Sequence, residues 1–119
     1  MTKLAKLKKE AVDWAIKIKL KNTPRCEGCG LIAITAHHLI RQKNSNYARC
    51  LQENLFSVCS VCHCLAHSRG DMVVLGHAIL KRGKKWHNKL IKDAQKIIKD
   101  NQGYWIKKIE EQKAIYEKQ

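Results

Sequence analysis

The chain carries two cysteine- and histidine-rich segments, CEGCGLIAITAHH (residues 26–38) and NLFSVCSVCHCLAH (residues 54–67). Each segment contains one Cys-x-x-Cys pair. Four thiolates at about 2.3 Å from one ion form the closed tetrahedron that structural zinc prefers. The alternative is that the four are buried thiols, but two such pairs on either side of a predicted hairpin favour a metal. We therefore predict a structural Zn²⁺ bound by Cys26, Cys29, Cys59 and Cys62.

The residues between the two cysteine pairs predict a β-hairpin. The stretch 31–36 is apolar and partly β-branched, which predicts a strand that delivers the pair His37-His38 at its end. The polar stretch 41–53 predicts a loop, and residues 55–58 predict the returning strand. Adjacent residues on a strand point to opposite faces, so the two histidines of the pair are poorly placed to share one ion.

A short helix is predicted after the second cysteine pair, from Ser60 to about Ser68, and Gly70 ends it. His63 and His67 lie one turn apart on the same face of this helix. Together with the His-His pair and Asn54, these residues are typical of an open metal site that has its own general base.

Both flanks of this segment predict helices. The first is amphipathic and ends at Asn22-Thr23-Pro24, because proline cannot continue a helix. After Gly70 we predict a helix capped by Asp71 that runs to Arg82, a second from about Lys84 to Asp100, and a final helix after Gly103. The apolar positions that we expect to pack along these helices are Leu4, Leu7, Ala11, Trp14, Ala15, Ile18, Trp86, Leu90, Ala94, Ile97, Trp105, Ile109 and Tyr116.

The cysteines also bear on the compartment. Six cysteines could form three disulfides in a small secreted protein. We favour metal binding and a cytoplasmic location, because the sequence shows no export signal and no apolar run long enough to span a bilayer. Cys50 and Cys64 are expected to be small buried residues.

The order Cys-x-x-Cys, His-His, Asn, Cys-x-x-Cys-His and a further His four residues on resembles the zinc-knuckle HNH endonucleases of the ββα-metal superfamily. Many of these are encoded by bacteriophages and mobile elements, which would make the location the host-cell cytoplasm. The resemblance implies an α+β fold in which a small ββα-metal core with its zinc knuckle is flanked by terminal helices and most residues are helical. We expect one nuclease domain over 1–119, with a basic helix over 1–23, the core over 24–70 and a helical tail over 71–119.

The resemblance also implies a role for each residue of the pattern. His38 would be the general base that takes a proton from the attacking water, and Asn54 would hold the His38 ring through its side chain or main-chain carbonyl. His37, His63 and His67 would bind a catalytic divalent cation, either Mg²⁺ or Mn²⁺, or alternatively Ni²⁺ or Zn²⁺. The implied activity is hydrolysis of DNA phosphodiester bonds by a one-metal mechanism.

Composition agrees with a nucleic-acid substrate. Lys and Arg number 24 against 10 Asp and Glu, which gives a net charge of +14 on 119 residues. Such a chain binds polyanions by counterion release, although a solvated lysine surface is the alternative explanation. The predicted partner is DNA, duplex or branched. The residues that we predict to contact DNA are Arg41, Arg69, Lys81, Arg82, Lys84 and Lys85.

Two other interpretations of the sequence stay open. In one, the chain is a zinc-stabilised DNA-binding module without catalysis, and the histidines are incidental. In the other, it is a structural protein whose helices pair with a partner subunit. A second copy of the chain, or a phage packaging or recombination protein, would be such a partner, whereas no membrane contact is expected.

Overall fold

The computed structural model describes residues 1–119, apart from the side chain of Asp71. The chain is mostly helical and has one small antiparallel sheet, which makes it a small α+β fold as predicted. Among the described residues, no helix combines the length and apolar character needed to cross a membrane. The elements are α1 (Lys3–Asn22), β1 (Thr35–His38), β2 (Leu55–Val58), α2 (Ser60–Arg69), α3 (Asp71–Arg82), α4 (Lys84–Ala94) and α5 (Gln102–Lys118).

The first and last helices pack against each other. Helix α1 begins at the N-cap Thr2, whose hydroxyl accepts a hydrogen bond from the Ala5 amide, and α5 begins at the N-cap Asn101 in the same way. Trp105 on α5 is fully buried and packs with Ala11 and Ile109. The predicted packing role of Trp105 and Ile109 is therefore confirmed.

The predicted hairpin forms, but its first strand is shorter than expected. Strand β1 pairs with β2 so that His37 lies opposite Phe56 and His38 opposite Leu55. The prediction of a strand over 31–36 is wrong for residues 31–34, because an isolated bridge between Arg25 and Ile32 closes the preceding turn instead. Both histidines of the pair therefore belong to β1 itself. The side chains of Leu31, Ile32 and Ile34 are exposed.

Helices α2 and α3 end where the sequence predicts. Each ends at a glycine with a positive φ, 92° at Gly70 and 91° at Gly83, a conformation that favours glycine. The N-cap of α3 is Gly70, and the predicted cap by the Asp71 side chain lies outside the described residues.

Helix α4 is shorter than predicted. It ends at Ala94, well before Asp100, and the hydroxyl of Ser45 donates a 2.7 Å hydrogen bond to the Ala94 carbonyl. Ile97 is 97% exposed, so the apolar stripe that predicted a longer helix is not buried beyond Leu90. A contact from a distant loop thus satisfies the end of this helix.

A second core lies between the hairpin and helices α2, α3 and α4. Phe56 and Val58 of β2 are fully buried there, and Trp86 is half-buried against the same cluster, as predicted. The other buried members are Cys26, Leu39, Cys59, Ala66, Val74, Ala78 and Leu90. Ala15 of α1 contacts Ala36 and Leu55, which joins the hairpin to the terminal helices.

Candidate metal centres

The sulfur atoms of the four predicted zinc ligands lie close together. The Sγ atoms of Cys26, Cys29, Cys59 and Cys62 all lie within 4.8 Å of one another. Four sulfurs around a tetrahedral zinc at 2.3 Å would be separated by about 3.8 Å. Among the described residues, this is the one group of three or more Cys, His, Asp or Glu whose ligand atoms converge so closely. The cluster can therefore hold a metal ion such as zinc.

Local backbone structure brings the sulfurs together. Gly28 lies beside two of the thiols, since a Cβ there would be in ordinary van der Waals contact with the sulfurs of Cys62 and Cys26, at 3.4 and 3.6 Å. The first turn of α2 supplies the other pair, because Cys59 is its N-cap and its sulfur accepts a hydrogen bond from the Cys62 amide. The turn over residues 26–29 and the first turn of α2 thus place the four sulfur atoms next to one another.

The thiols do not share one pKa. Burial raises the pKa of Cys26, but main-chain hydrogen bonds with Cys59, Cys29 and Gly28 outweigh it and lower the pKa to about 6. Burial and the neighbouring thiols raise the pKa of Cys62. Four thiolates at this spacing repel one another, so a cation between them would stabilise the ionised forms. Outside the cluster, Cys64 is exposed and the prediction that it is buried is wrong, whereas Cys50 is half-buried.

All three histidines that were predicted to bind the catalytic metal line a single cleft of about 560 Å³. The ring centroid of His37 lies 6.4 Å from that of His63 and 6.1 Å from that of His67. His63 and His67 are closer, with their Nε2 atoms 3.0 Å apart. This separation is that of a hydrogen bond between the two rings, and two imidazole nitrogens bound to one ion at about 2.1 Å, at a right angle, would have it as well. We call His37, His63 and His67 the histidine cluster.

The environment of His63 favours a neutral imidazole. Burial, followed by the neighbouring rings of His67 and His37, lowers the pKa of His63. A histidine must be neutral to bind a metal ion, because the ligand is the nitrogen lone pair. The lowered pKa is therefore compatible with metal binding at neutral pH.

His38 lines the same cleft, and its ring contacts the loop between β1 and β2. Its Nε2 lies 2.9 Å from the carbonyl oxygen of Arg49. A carbonyl only accepts hydrogen bonds, so Nε2 carries the proton, and in the neutral ring the lone pair is on Nδ1. Burial lowers the pKa of His38, which favours that neutral form. The predicted contact of the ring with Asn54 is replaced by the contact with Arg49.

Asn54 holds the backbone on both sides of that contact. Its side chain is fully buried; Oδ1 accepts a hydrogen bond from the Ile40 amide, and Nδ2 donates to the carbonyls of Ile40 and Ala48. Its own carbonyl accepts from the Leu39 amide. The residues fastened in this way follow His38 or precede Arg49. Asn54 thus fixes the backbone next to His38 and next to Arg49.

Five of the six predicted DNA-binding residues are exposed, whereas Arg82 is not. Arg41 lines the histidine cleft, and Arg69 is exposed at the end of α2. Lys84 and Lys85 are exposed at the start of α4. Lys81 is also exposed, although its ammonium group donates to the Glu27 carbonyl.

The guanidinium group of Arg82 forms its contacts within the protein. Its guanidinium donates to the carbonyls of Glu53 and Leu55 and forms a 2.7 Å ion pair with Glu27. Burial raises the pKa of Glu27, but the bonds from Arg82 and the Ser57 amide outweigh it and lower the pKa. Arg82 therefore joins α3 to the turn over residues 26–29 and to the residues on either side of Asn54. These contacts take the place of the predicted DNA contact. The only sequence signal for this role is an acidic residue inside the knuckle.

Comparisons with known proteins assign no family to the chain. No protein-family model matches it, and no curated protein and no solved structure is significantly similar to it.

Proposed function

We propose that the chain is a metal-dependent DNA endonuclease of the HNH type, with β1, β2 and α2 as its ββα-metal core. The observation that carries the proposal is the arrangement at one cleft. Three histidines come together from β1 and α2, while His38 is held by the Arg49 carbonyl with its lone pair on Nδ1. An isolated DNA-binding surface has no need of this arrangement.

Each residue then has a defined task in phosphodiester hydrolysis. Nδ1 of His38 accepts a proton from the water that attacks phosphorus, and the Nε2–H bond to the Arg49 carbonyl keeps the ring oriented. His37, His63 and His67 would hold a divalent cation, which supplies positive charge against the scissile phosphate and the leaving 3′ oxygen. The bond between phosphorus and that oxygen breaks as the new bond from water oxygen forms.

The remaining features support the same function. The four cysteines would hold zinc and thereby fix the start of α2, the helix that carries His63 and His67. The net charge of +14 favours a polyanionic substrate over a small neutral one. Arg41 and Lys43 line the histidine cleft and would contact phosphates beside the reacting group.

Nicking of a supercoiled plasmid tests the proposal. Wild-type protein should nick the plasmid with added Mg²⁺, Mn²⁺ or Ni²⁺, and chelation should abolish the activity. His38→Ala should lower the rate by about 100- to 10,000-fold, the usual contribution of a general base. His77→Ala is the matched control, because His77 is an exposed histidine on a different cleft.

Metal binding separates the base from the ligands. Calorimetry with Mn²⁺ or Ni²⁺ should show near-normal affinity for His38→Ala and strongly reduced affinity for His63→Ala. If no divalent ion supports nicking while DNA is bound in a salt-dependent way, the chain is a zinc-stabilised DNA-binding module and the nuclease proposal is wrong.

A further inference from the structure

A second cleft adjoins the histidine cleft. It has a volume of about 520 Å³ and lies between the first half of α1 and the loop that contains Gln42 and Arg49. Ile16 and Gln42 line both clefts, so the two are adjacent on the surface and are described together as one groove. We call the second part of this groove the α1 cleft.

The groove is positively charged along both parts. Asp13 is the one acidic residue that lines it within the described part of the chain, and it already pairs with Lys9 at 3.1 Å. The basic residues that line the groove are Arg41 and Lys43 in the histidine cleft, and Lys8, Lys9 and Arg49 in the α1 cleft. Repeated positive charges along a groove match the repeated phosphates of a nucleic-acid strand.

Arg49 lines the α1 cleft and contacts the candidate base His38, which lines the histidine cleft. Its carbonyl accepts the hydrogen bond from His38, and its guanidinium donates from Nε to Asn46 and from Nη1 to Gln42. These bonds use two of the five N–H donors of the group. The others are available to a phosphate, and the two bonds hold the guanidinium in place for it.

We propose that one strand of the DNA substrate continues from the histidine cluster across Ile16 and Gln42 into the α1 cleft, where Arg49 and Lys9 bind its phosphates. The identity of the strand rests on the proposed function. The surface itself rests on the shape and charge of the groove. It follows that binding and cleavage require DNA that extends past the reacting phosphate on the side of α1.

Binding of two duplexes to variants of the full-length protein tests this inference. The shorter duplex is the stem of a hairpin with about four base pairs, ~14 Å long at about 3.4 Å per base pair, and the longer duplex covers about two helical turns. The short stem spans less than half of the 38 Å length of the protein, so it cannot fill both clefts. Lys9→Gln and Arg49→Gln should weaken binding of the longer duplex severalfold and lower its salt dependence by about one unit each. Both variants should bind the shorter duplex almost as well as wild type.

Two further variants control for nonspecific charge and for folding. Lys6→Gln removes one exposed charge from the same helix but outside the groove, and it should change both affinities far less than Lys9→Gln. Arg49→Lys keeps the charge and should restore most of the salt dependence lost in Arg49→Gln. Melting temperatures near that of wild type would show that each variant is folded.

The outcomes distinguish this inference from the proposed function. If Lys6→Gln and Lys9→Gln weaken both duplexes equally, the α1 cleft does not bind the strand and the inference is wrong, even where the wild-type protein cuts DNA. If wild type never cuts DNA but the variants show the predicted length and salt dependence, the cleft is a DNA site and the nuclease proposal is the part that fails.

Discussion

Two parts of the molecule are built in different ways. The terminal helix pair, α1 with α5, is held by apolar packing around Trp105, and each of its helices has a side-chain N-cap. The central region, residues 24–94, has a sheet of two four-residue strands and a cluster of four cysteines. A sheet that small is marginal by itself. The terminal pair should therefore depend on packing alone, whereas the central region should depend on metal in addition to its own apolar core.

The candidate chemistry lies where these two parts meet. The histidine cluster belongs to the central region, whereas Ile16 of α1 contributes to the same cleft. Ala15 of α1 also packs on Ala36 and Leu55 of the hairpin. A change that loosens either part should therefore alter the groove, but by different routes and by different amounts.

The largest effect should come from loss of the zinc site. We expect about one zinc per chain in purified protein, and Cys59→Ser should lose it and unfold the hairpin and α2. Structural zinc sites contribute on the order of 10 kcal/mol, and here binding and folding of the central region share one free energy. Elemental analysis and hydrogen exchange of residues 24–70 would measure both effects.

The matched control for the zinc variant is Cys64→Ser, which changes an exposed thiol on the same helix outside the cluster. It should retain zinc and wild-type exchange. Folded, soluble protein without zinc would contradict the comparison between the two parts of the molecule.

Trp105→Ala should destabilise the terminal helix pair instead. The indole is fully buried, and large-to-small changes at such sites cost about 3–5 kcal/mol. We expect urea unfolding to show this loss while zinc content stays near one per chain at low temperature. Ile115→Ala on the exposed face of α5 should change stability little. If Trp105→Ala also releases zinc at low temperature, the two parts are not as independent as their construction suggests.

The local pattern of the sequence predicted the helices α1, α2 and α3 and the second strand well. In these elements the spacing of apolar residues predicts the same boundaries as the caps and glycines at their ends. The cysteine cluster was also predictable from local sequence, because two Cys-x-x-Cys pairs are typical of a structural metal site. The closeness of His63 and His67 followed from their four-residue spacing on one helix.

Features that depend on contacts between distant segments were not predictable. The end of α4 is satisfied by Ser45, which precedes it by about 50 residues, so the apolar stripe overestimated the helix. The role of Arg82 depends on Glu27, and the orientation of His38 depends on the Arg49 carbonyl. No spacing rule links such pairs, because they meet only after the hairpin has packed on α3 and the loop has folded.

A smaller effect is expected from Asn54→Asp. Burial favours the protonated carboxyl group, which can still accept from the Ile40 amide but can donate to only one of the carbonyls of Ile40 and Ala48, so one buried acceptor loses its donor. An unsatisfied buried group costs about 1–3 kcal/mol. We expect a stability loss of that size, measured by urea unfolding, together with slower plasmid nicking because His38 loses its support.

Asn44→Ala is the control for Asn54→Asp, since Asn44 is an exposed residue of the same loop. It should leave both stability and nicking nearly unchanged. Normal nicking by a destabilised Asn54→Asp protein would show that Asn54 supports the fold of the central region but does not position the base.

The smallest effect should come from the ion pair between Lys8 of α1 and Asp100, whose atoms lie 2.7 Å apart. The hydrogen bond from Lys8, followed by the bond from Trp105, lowers the pKa of Asp100. A lowered pKa in the folded state contributes stability above the unfolded value of about 3.9, and this stability is lost as the pH falls through the folded value. The pair is partly exposed, so Lys8→Met should cost at most about 1 kcal/mol at neutral pH.

Urea unfolding of wild type and Lys8→Met at pH 7 and below pH 4 would measure this contribution as a difference between the two proteins at each pH. The difference should be largest at pH 7 and shrink in acid, because protonated Asp100 no longer attracts Lys8. Loss of zinc in acid affects both proteins alike and cancels in the difference. Lys9→Met, which removes a more exposed pair with Asp13, should show almost no difference at either pH. A difference that stays the same at both pH values would mean that Lys8 stabilises the terminal helix pair through a contact other than its ion pair with Asp100, such as its position over the Trp105 ring.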